Sequence, residues 1–184
     1  MLFHSDDEAC IQQTRRWVKD VIVAHSFCPF AGREVERDSI RYTVCPESKV
    51  PAALEALIDE CVLLDDDSHI ETTLVVYPGG FEVFEDYLDF SALAEALLVE
   101  QGYEGVYQLA TFHPDYLFSD SSEDDPANYT NRSPYPVLHI LREASLETAI
   151  DGHPDPEGIP ERNISYARKL GLNVLREQFE LLRS

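Results

Sequence analysis

Val137-Leu138-His139-Ile140-Leu141-Arg142-Glu143-Ala144 is the stretch on which the fold turns, because its composition suits a strand as well as a helix. Taken at about 100° per residue, Val137, Leu138, Ile140, Leu141 and Ala144 cover one side, and His139, Arg142 and Glu143 share the other. Taken at period two, one face carries Val137, His139, Leu141 and Glu143, which mixes apolar with ionisable side chains. The helical period separates the two classes and predicts a helix. Ser133 then serves as N-cap, and Pro134 takes the first helical position, where its missing N–H costs nothing. Pro136 falls in the first turn, whose donors lack partners in any case.

Working outward, His113 to Arg132 is a connection of about twenty residues with neither period, and Gly105 to Phe112 before it reads as a strand. Thr72 to Tyr77, stopped by Pro78-Gly79-Gly80, and Ser39 to Cys45 supply two more strands. Between them, Leu54, Leu57, Ile58 and Cys61 behind Pro51, and Phe84, Tyr87, Leu88, Ala94, Leu97 and Leu98 before Gly102, recur at helical spacing. A first helix is expected from about residue 6 to 26, opened by the capping-box form of Ser5 and Glu8 and ended ahead of Pro29. Asp151 to Pro160 is a Pro- and Gly-rich loop, and one last helix starts at Pro160 with Ile164, Ala167, Gly171, Val174 and Leu181 as its buried stripe. Strands alternating with helices predict a single α/β domain over residues 1–184, a small, largely parallel sheet of three or four strands with helices packed on it. Ligands are then expected at the carboxyl edge of the strands.

The chain has 184 residues, 44% of them apolar, enough for one core without disulfide or metal staples. Cys10, Cys28, Cys45 and Cys61 form no C-x-x-C pair and have no paired histidine spacing, so they read as free thiols in a reducing compartment. Met1 to Cys10 lacks the basic and apolar regions of a secretory leader, which points to a cytoplasmic protein. The net charge of −21 is unevenly placed: Val50 to Asn131 holds 19 Asp and Glu and not one Lys or Arg. Such a surface repels nucleic acid and anionic membranes, so neither is an expected partner.

Arg132 is the first cation after that gap and stands next to the expected helix N-terminus, which together suit a carboxylate or phosphate. The leading functional expectation is therefore a small-molecule hydrolase or transferase with an anionic substrate. His113 acts as acid or base, Asp115 and Glu143 orient or polarise, and Asn131, Arg132, Ser133 and Arg142 hold the substrate. No dinucleotide glycine fingerprint or phosphate loop is present, so no cofactor is assigned. The structural counterpart is an Arg132 that neutralises Asp124 or Asp125 and a His113 that is simply hydrogen-bonded. A second expectation is a divalent-metal enzyme using His139 and Glu143, in H-x-x-x-E spacing, with His113 or a loop aspartate. A third is a non-catalytic module whose acidic surface meets a basic protein partner. Cys28, just past a helix C-terminus, reads as a packing residue first, with activation by His25 the lesser alternative.

Three stretches carry a family resemblance: Cys28-Pro29-Phe30, Phe112-His113-Pro114-Asp115-Tyr116-Leu117-Phe118, and Asn131-Arg132-Ser133-Pro134-Tyr135-Pro136 leading into Leu138 to Glu143. In these the chain resembles the bacterial family known as domain of unknown function 1415. The resemblance spans most of the chain and implies a bacterial cytoplasmic setting. It brings no reaction, cofactor or catalytic residue with it.

Overall fold

Val137–Arg142 is a β-strand in the computed structural model, which describes residues 5–183. The helical expectation for this stretch is overturned, and the reason is burial on both faces: Val137, Leu138 and Ile140 are all 0% exposed. A strand covered on both sides has no need to alternate, so period two is absent from its sequence and the apolar run imitates a helix. The two prolines that seemed to open a helix act the other way. Ser133 and Tyr135 each precede a proline and are driven toward extended backbone, and Pro136 O accepts the N–H of Tyr77 at 3.0 Å to begin the ladder.

Helix α1 spans Ser5–Trp17 and continues into a π-helical segment, Val18–Val23. Then follow α2 (Ala31–Glu36), β1 (Ile40–Val44), α3 (Val50–Asp66), β2 (Thr72–Val76), α4 (Phe84–Glu100) and β3 (Tyr107–Phe112). A 3₁₀ turn at Pro126–Thr130 precedes β4 (Val137–Arg142), α5 (Glu143–Asp151), α6 (Ile159–Leu170) and α7 (Leu172–Arg183). Residues 1–4 and 184 fall outside the description, and with them the start of the segment read for a leader. The Ser5 side chain of the expected capping box is outside it too.

The sheet order is β1-β2-β4-β3. β1 and β2 are parallel, with Ile40 opposite Thr72, whereas β4 runs antiparallel to both β2 and β3, with His139 opposite Leu74 and Ala110. The sheet is therefore mixed, and the largely parallel arrangement is corrected: with residues 137–142 taken as helix, the antiparallel return between β2 and β3 was missing. On one face α3 and α4 bury Leu57, Leu64, Tyr87 and Phe90 against Val75, Tyr77, Leu138 and Ile140. On the other, α1, its π-helical extension, α6 and α7 bury Trp17, Ile22, Ala167 and Leu175 against Leu74, Val76 and Val137.

The expected last helix is two. Gly171 takes φ +88° and ψ 154°, a backbone state essentially reserved for glycine, and the chain restarts at Leu172. The break advances the buried stripe by one residue. Ala167 is buried as the helical period requires, but beyond the break Leu175 and Leu182 are buried, while Val174 and Leu181 are 51% and 63% exposed.

Candidate functional site

The long connection from His113 to Pro136 is a clasp built from its own polar side chains. His113 turns toward α4 and is 0% exposed, with its ring centroid 5.2 Å from Phe84 and 5.1 Å from Tyr87. Nε2–H donates to Phe81 O at 3.0 Å and Nδ1 accepts the Asp115 N–H at 3.0 Å, so both ring nitrogens are in use. Burial lowers its pKa and holds the ring neutral. Asn128, also fully buried, accepts from Phe118 N and the Ser121 hydroxyl and donates to Ser122 O. Asn131 Nδ2 donates to Thr111 O, and the buried Ser133 hydroxyl donates to Tyr135 O.

Arg132 pairs with neither Asp124 nor Asp125. Its guanidinium lies 4.6 Å from the Tyr129 ring centre and donates to the carbonyls of Tyr116 and Glu123. Asp124 and Asp125 pair instead with Arg176 and Arg168, at 3.4 and 2.6 Å. The Arg168 guanidinium and the Ala127 N–H hold Asp125 below the usual carboxylate range. The helix N-terminus expected beside Arg132 does not exist, because Pro136 leads into β4. Asp115 stands exposed on the clasp.

His139, Arg142 and Glu143 do not share a face, since alternate residues of a strand point to opposite sides. Arg142 points to the α3 side, where it donates to Leu64 O at 2.5 Å and Ile70 O at 3.0 Å and lies over the Tyr107 ring. Glu143 opens α5, and its N–H bonds Val106 O. His139 points to the α1 side, away from His113. The metal set of His113, His139 and Glu143 is thus divided by the sheet, and among the described residues no three His, Cys, Asp or Glu are grouped to hold an ion.

What His139 does face is a cavity of about 810 Å³ between the sheet, α1 with its π-helical extension, α2 and α5. Trp17, Ile22, Phe30, Leu74, Phe112 and Leu146 give it apolar walls, and Arg33, Glu34, Arg37, Glu71, Arg142 and His153 are among its polar members. It lies by the amino ends of β1 and β2, at Ile40 and Thr72, and the carboxyl end of β4, at Leu141. The antiparallel insertion of β4 thus places the cavity away from the carboxyl edge where the parallel reading expected ligands.

A two-step hydrogen-bond chain orients the imidazole. Thr72 Oγ1 donates to Ile140 O at 2.5 Å, so its lone pair receives Nε2–H of His139 at 2.6 Å. Nδ1 then carries the lone pair and has no hydrogen-bond partner among the described residues. Burial pushes the pKa of His139 down to about 4, so the ring is neutral at pH 7. Trp17 is 1% exposed, and its Nε1–H is a buried donor without a partner among the described residues. Cys28 lies on the wall, and burial raises its pKa against the opposing backbone N–H groups of Phe30 and Ala31, so it remains a thiol. The site therefore offers an acceptor at His139 and a donor at Trp17 between apolar walls, and can orient a polar group on an apolar molecule.

Sequence reasoning missed this cavity, because its walls come from five separate segments. The available signal was His139 itself, one ionisable residue inside an apolar run. Cys28-Pro29-Phe30, Phe112 and Leu141-Arg142, from the three stretches that carry the family resemblance, all reach the cavity. No helix among the described residues is long and apolar enough to cross a membrane. No curated protein and no solved structure matches the chain. The family described as protein of unknown function, DUF1415, matches residues 9–177, and the chain belongs to that family.

Proposed function

We propose that the protein binds a small, largely apolar organic molecule between the sheet and helices α1, α2 and α5, with His139 Nδ1 accepting a hydrogen bond from it. The observation that carries this reading is the cavity: about 810 Å³ of mostly apolar space with an imidazole nitrogen on its floor that has no hydrogen-bond partner among the described residues. That volume lies within the roughly 300–1,000 Å³ of small-molecule pockets. The hydrolase or transferase reading with an anionic substrate has less support. Arg132 and His113 make hydrogen bonds within the clasp, and a histidine with a pKa near 4 is a weak base at neutral pH. The four free thiols support a reducing, cytoplasmic setting.

Trp17 is the only tryptophan of the chain and lines the cavity, so its fluorescence reports occupancy directly. Screening apolar fragments that carry one hydrogen-bond donor should yield ligands that shift Trp17 emission and the His139 ring resonances. Ala149→Trp, which fills the cavity from α5, should abolish both responses. Ligands that bind equally well to the plugged variant would end the reading.

A second reading, an acidic module that meets a basic protein, is favoured by the outer face of α4. There Leu88, Leu93 and Val99 are exposed among Glu85, Asp89, Glu95 and Glu100. Its occupant is a Lys-rich amphipathic helix, whose affinity should fall at least tenfold between about 50 and 200 mM salt and vanish in Leu93→Lys. Failure of such a peptide to bind at the lower salt ends it.

A further inference from the structure

Among the described residues, Trp17 Nε1, Thr73 Oγ1 and Tyr77 Oη are buried polar atoms without a hydrogen-bond partner. Thr73 and Tyr77 lie on the α3 and α4 face of the sheet, since alternate residues along β2 share a face with Val75, and neither lines the large cavity. Trp17 does line it, as His139 does. Both rings pack against Phe112, Trp17 edge-on at 5.0 Å between centroids and His139 at 6.3 Å. The neighbours that Trp17 shares in this part of the core, among them Val18, Ile22 and Leu74, are hydrocarbon and accept nothing. One wall thus carries an indole N–H in need of an acceptor and, across a single phenyl ring, an imidazole lone pair in need of a donor. Buried polar groups in proteins are nearly always paired, so these two complementary groups point to a partner that serves both. Trp17 also stands at the start of the π-helical segment, a departure from α-helical geometry that is frequent at functional sites.

We infer that the occupant carries both a hydrogen-bond donor and a hydrogen-bond acceptor on one apolar body, the donor held by His139 Nδ1 and the acceptor by Trp17 Nε1–H. The inference rests on the cavity-binding reading and names the ligand class for it. The two demands are independent of each other. Thr72 fixes the imidazole proton on Nε2, because its own hydroxyl proton goes to Ile140 O, so Nδ1 can only accept. An indole N–H can only donate. A hydrocarbon leaves both groups unpaired, and a molecule with a donor alone or an acceptor alone leaves one. Sites of this kind discriminate strongly against an analogue that lacks the matching group, because the buried atom loses water and gains nothing in return.

The test titrates the full chain with benzenes of one size that differ in hydrogen bonding. The meta and para isomers of hydroxyacetophenone carry donor and acceptor at two separations, para-ethylphenol a donor alone, and para-methoxyacetophenone acceptors alone. Binding is followed by heat and by the indole N–H proton resonance, which is single because Trp17 is the only tryptophan. The better hydroxyacetophenone should bind at least about tenfold more tightly than either single-function analogue. It should move the indole N–H resonance downfield, and ethylphenol should not. Trp17→Phe should reduce its affinity to that of ethylphenol, and His139→Leu to that of methoxyacetophenone. If a variant folds poorly, the ranking and the resonance of the unmodified protein decide the matter. Equal binding of the hydroxyacetophenones and the single-function analogues, or an indole N–H unmoved by a bound ketone, would overturn the inference and leave the cavity reading standing. No heat and no change of resonance with any of the four probes would overturn both.

Discussion

At His139 the proton follows from two neighbours. Thr72 is fixed as a donor to Ile140 O, so it can only accept from the imidazole, and burial then keeps the second nitrogen unprotonated. Because the folded pKa, about 4, lies below the ordinary 6.5, the unfolded chain takes up the proton first as pH falls. The stabilisation is complete above about pH 6.5 and is lost progressively toward pH 4, amounting to at most about 3 kcal/mol. His113, lowered by burial as well, acts in the same direction. Urea midpoints measured from pH 7 to pH 4 should fall, and His139→Leu should flatten part of that fall; identical profiles for the two proteins would refute the assignment. Arg142 is the opposite kind of residue, a permanent cation that terminates α3 through the carbonyls of Leu64, Asp67 and Ile70. Arg142→Ala should lower stability by about 2–3 kcal/mol, and Arg142→Lys should recover less than half, since an ammonium lacks the planar fork. Full recovery by lysine in urea unfolding would show that charge alone suffices.

Among the elements, the clasp between β3 and β4 has the clearest energetics. Asn128 replaces missing backbone pairing with three hydrogen bonds while fully buried. Asn128→Ala leaves the Phe118 N–H and the Ser122 carbonyl without partners and should cost about 2–3 kcal/mol. Limited proteolysis should then cut within residues 114–131 before any other segment, and global unfolding without that early cut would speak against a local clasp. The junction of α6 and α7 tests backbone rather than packing. Among the described residues, nothing beyond its chain neighbours lies within 4 Å of a Cβ built at Gly171, so Gly171→Ala should cost about 1–3 kcal/mol through φ alone. A neutral result in thermal unfolding would mean that the two helices can merge. At this scale most of the fold was legible. The segments of β1, β2 and β3 and of helices α1, α3 and α4 follow from periodicity, which is a local property. β4 was not legible, because a central strand takes its apolar character from neighbours on both sides.

The whole molecule is electrically polar. Helices α3 and α4 lie entirely within the stretch that lacks Lys and Arg, whereas cations on α1, α2, α6 and α7 populate the other side of the sheet. Arg41 on β1 bridges the two with a bidentate bond to Glu60 on α3, at 2.6 and 2.9 Å. The stretch from Val50 to Asn131 nevertheless carries 19 acids without a cation of its own, so self-repulsion opposes folding. Raising NaCl from about 0.05 to 0.5 M should therefore raise Tm by a few degrees as the Debye length contracts. A fall in Tm over that range would mean that ion pairs such as Arg168 with Asp125 outweigh the repulsion.

By itself the sequence determined the α/β class, the existence of most elements and the charge asymmetry, because each depends on residues near one another in the chain. Only the tertiary structure decided that residues 137–142 are a strand, that the sheet is mixed, and that His139 and His113 face opposite ways. The cavity belongs to the same class. Trp17, Cys28, Glu71 and His139 come from four separate segments, and their juxtaposition exists only once β4 pairs with both β2 and β3. Burial then sets which of their polar atoms stay unpaired, a property of the enclosure rather than of any segment.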